Sequence, residues 1–123
     1  MKRDNLKYNK FINNYQMDVS KSIDEIFKNQ KDKIIRLAES IKNIKRNKGK
    51  IIIFGNGGSA ATASHFSVDL TKNAKIRAIN FNEADLITCL SNDYGHDNWV
   101  KKAIEFYIDK NDLVILISTS GNS

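Results

Sequence analysis

A chain of 123 residues suffices for one domain, and its 41% hydrophobic content is ordinary for a globular fold. No apolar run approaches the roughly 20 residues of a membrane span. The formal charge of +6 is concentrated in residues 1–50, which carry 14 Lys or Arg against 6 Asp or Glu, whereas residues 51–123 carry a net −2. This division favours a solvated basic helical segment and argues against nucleic acid as a partner.

The amino terminus and the single cysteine both bear on where the protein acts. The start MKRDNLKYNK has no apolar core and no cleavage site, so it is not a signal peptide. Cys89 lies in the apolar stretch DLITCL and has no second cysteine with which to form an intramolecular disulfide. We therefore expect a buried, reduced thiol in a cytoplasmic protein that does not enter a membrane.

Two amphipathic helices are predicted in the N-terminal segment. Apolar side chains in residues 8–27 recur every three or four positions, the spacing of one face of a helix. A polar run at 28–33 interrupts them, a second stripe covers 34–44, and Gly49 is placed to end that helix. Each stripe requires cover from the body of the domain, from another subunit, or from both.

Strands and helices alternate after this segment. Continuous β-branched and apolar runs predict buried strands at 50–54, 76–81 and 112–118. Helices are predicted near 59–71, 84–90 and 99–107, with NDYG as a turn between the last two. This alternation predicts an α/β fold whose parallel sheet has strand order 2-1-3, with the first strand central.

The predicted domain organisation has two parts. Residues 1–48 are expected to form a helical extension, and residues 49–123 the N-terminal part of an α/β domain. The chain ends five residues after the third predicted strand, and a three-stranded sheet has two exposed edges. We therefore expect a fragment of a longer reading frame.

A glycine-rich loop, GNGGSAA, follows the first predicted strand and opens a helix. Glycines let the backbone approach an anion closely, and a helix N-terminus presents N–H groups and partial positive charge. The loop also has alternative interpretations as a plain tight turn or as a GxGxxA dinucleotide fingerprint. In the latter, Glu83 or Asp85 would be the acid that binds the ribose.

A second loop, STSGNS, follows the third predicted strand and helps to separate these alternatives. Its hydroxyls and backbone N–H groups can hold a phosphate through neutral donors. A sugar-phosphate site needs such a cluster at this position, whereas a dinucleotide fold does not. The loop pair therefore favours a phosphorylated sugar, and we expect no NAD.

Three ordered motifs, FGNGGSAA, NDYG and LISTSGNS, together with His65 on the helix between the first two, resemble the sugar isomerase domain. The resemblance covers roughly residues 35–123 and is closest to the phosphoheptose isomerases. It implies a flavodoxin-like parallel sheet with helices on both faces, assembled as a homotetramer. It also implies interconversion of sedoheptulose 7-phosphate and a mannoheptose 7-phosphate through an ene-diol, a step in carbohydrate metabolism that supplies lipopolysaccharide biosynthesis.

The resemblance also implies roles for individual residues. Substrate contacts fall on Asn56, Gly57, Gly58, Ser59, Asn92 and Asp93, and phosphate contacts on Ser118, Thr119, Ser120 and Ser123. His65 matches a residue that binds zinc, and Asp69 matches a glutamate that binds zinc and acts as the catalytic base.

His65 and Asp69 are four residues apart, so both side chains project from one face of a helix, as two metal ligands do. Asp69 is one methylene shorter than the family's glutamate, and a displacement of about 1 Å can cost roughly a hundredfold in rate. The family's remaining metal ligands, a Gln and a His, would lie beyond Ser123. A non-catalytic sugar-phosphate-binding module, such as a sensor or a replication-initiator-associated protein, is the alternative.

Overall fold

The computed structural model describes residues 2–122, and the side chains of residues 5–122. The helices and strands of this part are α1 (Lys2–Asn29), α2 (Lys31–Arg46), β1 (Ile51–Gly55), α3 (Gly58–Lys72), β2 (Ala78–Asn80), α4 (Ala84–Tyr94), α5 (Trp99–Tyr107) and β3 (Leu113–Ile117). None of the described helices is both long enough and apolar enough to span a bilayer. The chain divides into two compact units, residues 1–39 and 40–123. The predicted domain boundary between residues 48 and 49 stays a prediction.

The first unit contains α1 and the beginning of α2, which confirms the two helices predicted from apolar spacing. The α1 stripe is exposed along its length: Ile12 is 58% exposed and Tyr15 is 64% exposed. The ring of Tyr15 stacks on that of the adjacent exposed Phe11, with centroids 6.3 Å apart. That the body of the domain, another subunit, or both cover the stripe stays a prediction.

The three strands form one parallel sheet in the order β2-β1-β3, which confirms the predicted order and direction. Ile52 of β1 pairs with Ile79 on one side and with Val114 on the other. β2 is shorter than predicted, although Ile76 and Phe81 beyond its ends are both buried. The apolar run thus predicted which residues are buried more accurately than it predicted which residues form the hydrogen-bonded strand.

β1 separates two hydrophobic layers because successive side chains of a strand point to opposite faces. Ile51 and Ile53 pack with Ala63 and Leu70 of α3 and with Ile76. On the other face Ile52 and Phe54 pack with Phe81, Trp99 and Ala103. The central strand is buried on both sides, as its continuous apolar sequence predicts.

Polar contacts join the amino ends of β1 and β3. The Lys50 ammonium forms ion pairs with Asp112 and, at 2.6 Å, with Asp109. The Asp112 carboxylate also accepts the backbone N–H groups of Lys50 and Asp109, each at 2.8 Å. These contacts lie at the end of the sheet opposite the two predicted ligand loops.

Two predictions for the segment around α4 are wrong. NDYG is not a separate turn: its first three residues complete α4, and Gly95 caps the helix with φ 86°. Cys89 is exposed rather than buried. Leu86, Ile87 and Leu90 form the face of α4 that packs on the core, and Cys89 lies off that face, which an apolar segment alone does not reveal.

Candidate functional site

The glycine-rich loop joins β1 to α3 in a conformation that requires glycine. A Cβ at Gly55 would lie 2.5 Å from the backbone of Ser59, so the close approach excludes any side chain. Gly57 is the N-cap of α3 with φ 56° and ψ −123°, a region that residues with a Cβ rarely adopt. Apart from the adjacent residues and the backbone of α3 itself, no atom of the described residues lies within 4 Å of a Cβ placed at Gly57 or Gly58. The loop therefore presents an open backbone surface at the start of a helix.

The Ser/Thr loop after β3 is held by its own hydroxyls. Ser118 Oγ accepts the Gly121 N–H at 2.9 Å, and Ser120 Oγ accepts the Asn122 N–H at 3.2 Å. Gly121 has φ 74°, which lets the chain turn back on itself. Thr119 and Ser120 are exposed to solvent. Ser123, the last predicted phosphate ligand, lies outside the described residues.

A cavity of about 320 Å³ lies between the carboxyl ends of β1 and β3. Its lining residues are Phe54, Gly55, Asn56, Asp97, Val100, Leu116, Ile117 and Ser118. The structure thus brings Asn56 of the first predicted loop and Ser118 of the second to one cavity. Ligands of open α/β sheets bind at such a switch point, where neighbouring strands lead to opposite sides of the sheet.

The candidate base and metal ligand lie on a different surface. His65 Nε2 and Asp69 Oδ2 are 3.7 Å apart, and their side chains are 81% and 50% exposed. Together with Ala61, Thr62 and Phe66 they line a groove along α3. The Asn73 side-chain amide donates to Asp69 Oδ1 at 3.0 Å. The predicted pair is therefore adjacent, but it does not line the cavity that Asn56 and Ser118 share.

The same pair fits part of a zinc site. Two ligands at about 2.0–2.1 Å from a tetrahedral zinc lie roughly 3.3–3.4 Å apart, close to the observed 3.7 Å between His65 Nε2 and Asp69 Oδ2. Among the described residues, no group of three His, Cys, Asp or Glu side chains is placed to hold a metal ion. The pair can supply two ligands of such a site.

Asn92 and Asp93 occupy the last turn of α4 and are exposed. The Asn92 side-chain amide donates to Asp93 Oδ1 at 3.1 Å. Neither residue lines the cavity between β1 and β3. Their predicted contact with the sugar stays a prediction.

Sequence reasoning missed two parts of this region. Asp97 lines the cavity, and its only sequence signal was its position two residues after the end of the NDYG motif. Asn82 lies just beyond β2, and its side-chain amide donates to the Ala60 carbonyl in the first turn of α3. No residue motif marks such a contact, because it depends on how the helix lies on the sheet.

A parallel sheet with a glycine-rich and a Ser/Thr-rich loop at neighbouring strand ends defines an α/β domain with a candidate ligand site between those strand ends. Residues 14–123 match the family model of the SIS domain. The chain belongs to the SIS domain family, which confirms the resemblance drawn from the three motifs and the α/β fold class.

Relatives and a solved structure agree with this assignment. The chain is 36% identical over 126 residues to a phosphoheptose isomerase from Helicobacter pylori strain ATCC 700392 / 26695, covering 98% of this chain and 63% of the relative. It is 33% identical over 118 residues to one from Syntrophotalea carbinolica, covering 91% and 60%. The structure of phosphoheptose isomerase from Neisseria gonorrhoeae matches with a TM-score of 0.87 at 30% identity, covering 94% of this chain and 63% of that one. The chain spans about three fifths of the length of these proteins.

Proposed function

We propose that this chain forms part of a ketose–aldose isomerase that acts on a phosphorylated sugar. The observation that carries the proposal is the cavity shared by Asn56 and Ser118, because it joins the glycine-rich loop and the Ser/Thr loop at one place. The names of the relatives support a heptose as the sugar, with sedoheptulose 7-phosphate converted to a mannoheptose 7-phosphate. Assembly as a homotetramer, action in the cytoplasm and a role in lipopolysaccharide synthesis belong to the same proposal.

Binding of the phosphate falls to the loop after β3. A hydroxyl that accepts one backbone N–H keeps its own O–H as a donor, so Ser120 can accept from Asn122 and still donate to a phosphate oxygen. Thr119 offers a second exposed hydroxyl. Donors of this kind hold a dianion without a Lys or Arg. The sugar chain then extends toward Asn56 and the open backbone of Gly57 and Gly58.

Isomerisation requires a proton to move between adjacent carbons. The base removes a proton from C1 of the ketose, the C1–H electron pair forms the C1=C2 bond of an ene-diol, and the C2 oxygen gains a proton. Protonation at C2 and loss of the O1 proton then give the aldose. Asp69 is the proposed base. Its Oδ1 accepts from Asn73, which orients the carboxylate on α3.

His65 and Asp69 are the residues that would hold a zinc ion, since they are the adjacent donor pair of α3. When bound, such an ion stabilises the oxygen on which negative charge develops during proton transfer. The described residues contribute two of its ligands.

The test is conversion of sedoheptulose 7-phosphate in D2O, followed by NMR. Isomerisation through an ene-diol places deuterium at C2 of the aldose. Asp69→Asn should abolish conversion while leaving phosphate binding intact. Asp24→Asn on α1 is the matched control, because it removes an exposed helical carboxylate to which no role in binding or catalysis is assigned. Sugar conversion without deuterium incorporation would contradict proton transfer through a solvent-exchanging base.

One observation favours a second candidate, a sugar-phosphate-binding module without catalysis. His65 and Asp69 line a groove that is separate from the cavity containing Asn56 and Ser118. A ligand held in that cavity is then not in contact with the proposed base. Binding of sedoheptulose 7-phosphate by calorimetry, together with no conversion at saturating ligand, would support this second candidate.

A further inference from the structure

A group of four polar side chains joins the middle of α3 to the carboxyl end of β2. These residues, called here the Asn82 cluster, are Ser64, Ser67, Asn80 and Asn82. The Asn80 side-chain amide donates to Ser67 Oγ at 2.9 Å, and Ser67 Oγ donates to the Ser64 carbonyl at 2.8 Å. Ser67 is 5% exposed, and it is the buried polar residue of a helix whose other buried side chains are apolar. Polar groups at such positions need partners, and the cluster supplies them.

Asn82 makes the contacts that reach the ligand loop. Its Nδ2 donates to the Ala60 carbonyl and to Ser64 Oγ, each at 2.7 Å. Ala60 lies in the first turn of α3, next to Ser59 of the glycine-rich loop. The Asn82 backbone N–H donates to Asn80 Oδ1 at 3.3 Å, and Ser64 Oγ lies 3.3 Å from the same oxygen, which joins Ser64, Asn80 and Asn82.

The orientation of the Asn82 amide follows from its neighbours. If the amide were reversed, Oδ1 would face the Ala60 carbonyl oxygen at 2.7 Å, and both atoms are acceptors. In the observed orientation Oδ1 is buried and has no partner among the described residues. Leaving a buried acceptor unpaired costs about 1–3 kcal/mol. The Asn82 side-chain amide, in contrast, makes two hydrogen bonds to α3, one to Ala60 in the first turn and one to Ser64 in the next.

We propose that Asn82 is a positioning residue for the sugar-phosphate site, acting through Ala60 on the first turn of α3. The inference rests on the proposed function for its ligand. Glycines connect β1 to the N-terminal end of α3, and glycine by itself restricts the backbone little. The Asn82 cluster supplies the rigidity that this glycine-rich loop lacks, and so holds Gly58 and Ser59 where the sugar chain must bind.

Two measurements on the full chain test the proposal in Asn82→Ala. Hydrogen exchange by NMR at the amides of residues 59–62 should become at least about tenfold faster, because the first turn loses its anchor. The Kd for sedoheptulose 7-phosphate, measured by calorimetry, should rise about tenfold. Ser64→Ala favours the helix and leaves the Asn82 side chain in place, but it removes a hydroxyl that accepts from Asn82 and also contacts the Ala60 carbonyl and Asn80 Oδ1. It should fold readily and raise the Kd by about threefold, so the test does not depend on the folding of Asn82→Ala.

Thr71→Val is the matched control. Thr71 Oγ1 donates to the Ala78 carbonyl at 3.3 Å, so this variant also removes a side-chain hydrogen bond between α3 and β2. Thr71 lies eleven residues, or about 16 Å, along the helix from Ala60. It should lower the melting temperature without changing exchange at residues 59–62 or the Kd.

The outcomes separate the inference from the function on which it rests. Faster exchange at residues 59–62 with a raised Kd, in the Asn82 and Ser64 variants alone, supports the proposal. Unchanged exchange at these amides overturns it, as does faster exchange with an unchanged Kd. If the unmodified chain ignores sedoheptulose 7-phosphate, the proposed function fails, and the exchange data still decide whether Asn82 holds the first turn of α3.

Discussion

The Asp112 carboxylate is 1% exposed and binds both the ammonium and the backbone N–H of Lys50. It thereby joins the residue before β1 to the residue before β3, 62 positions apart in sequence. Burial by itself would raise the pKa of Asp112, but the hydrogen bonds from Lys50 and from the Asp109 backbone outweigh it and lower that pKa. The carboxylate is therefore held in its charged form in the folded protein.

Replacing this carboxylate should destabilise the fold. Asp112→Asn removes the charge and at least one of the hydrogen bonds that the two carboxylate oxygens accept. Hydrogen bonds to charged groups contribute about 1.5–3 kcal/mol, so the free energy of unfolding should fall by that amount in urea titration. Asp109→Asn is the control, since the Asp109 side chain is 82% exposed and exposed ion pairs contribute about 0–1 kcal/mol. Equal effects of the two variants would contradict the structural role of Asp112.

Stability should depend on pH through the same carboxylate. Because the folded pKa of Asp112 is lowered, its contribution is present above the ordinary carboxyl pKa of 3.8 and is lost as pH falls through the folded pKa. Unfolding measured from pH 6 to pH 2 should show a steeper loss of stability in the unmodified chain than in Asp112→Asn. For Lys50 the pH dependence of stability has the opposite direction. Burial lowers the pKa of Lys50, but its bonds to Asp109 and Asp112 raise it overall, so its contribution is present below pH 10.5 and is lost above it. If the free energy of unfolding fell equally steeply between pH 6 and pH 2 in the unmodified chain and in Asp112→Asn, the prediction for Asp112 would be wrong.

The two adjacent glycines of the loop should respond differently to alanine. Gly57→Ala places a Cβ at φ 56°, where strain costs about 1–3 kcal/mol. Gly58→Ala lies in α3 with open space around it and should be neutral or stabilising by about 0.4–1 kcal/mol. Its methyl group would, however, occupy the surface proposed for the sugar, so affinity should fall while stability does not. Thermal unfolding and calorimetry on both variants check this, and full affinity in Gly58→Ala would place the sugar elsewhere.

The Ser/Thr loop should decide between a sugar phosphate and a dinucleotide. Ser120→Ala removes one hydroxyl donor and should weaken sedoheptulose 7-phosphate binding by about 1–3 kcal/mol. Calorimetric titration of the same protein with NADH should give no binding. Thr88→Ala on α4 is a control, because its hydroxyl donates within its own helix, to Ala84 at 2.7 Å. Binding of NADH together with indifference to the sugar phosphate would reject both candidate functions.

The fold was largely predictable because its strongest signals are local. The run Ile51–Phe54 is apolar at every position, which is typical of a strand buried on both faces, and the structure places it at the centre of the sheet. The bounds of β2 were less predictable, since Ile76 and Phe81 are buried by packing without belonging to the strand. Strand pairing depends on hydrogen bonds to the backbone of the neighbouring strand, and a pattern of apolar side chains does not predict where those bonds begin and end.

The candidate site was predictable only in part. Motif spacing indicated that Asn56 and Ser118 follow adjacent parallel strands, and both line the same cavity. The same reasoning placed His65 and Asp69 correctly with respect to each other, because helical periodicity fixes positions four apart. It did not reveal that this pair lines a separate groove. That separation depends on how α3 is rotated on the sheet, which follows from the packing of Ala63 and Leu70 on β1 and not from residue spacing alone.

The two faces of β1 have a consequence for how mutations alter ligand affinity. Ile51 and Ile53 contact one hydrophobic layer, Ile52 and Phe54 contact the other, and the strand leads directly into Gly55 and Asn56. A volume change in either layer shifts the same strand and hence the same loop. Mutations that alter ligand affinity can accordingly lie outside the site itself. A substitution in one hydrophobic layer can be compensated by a substitution in the other layer, on the opposite side of the sheet. Selection for tighter binding would enrich changes in both layers, including residues that never touch the ligand.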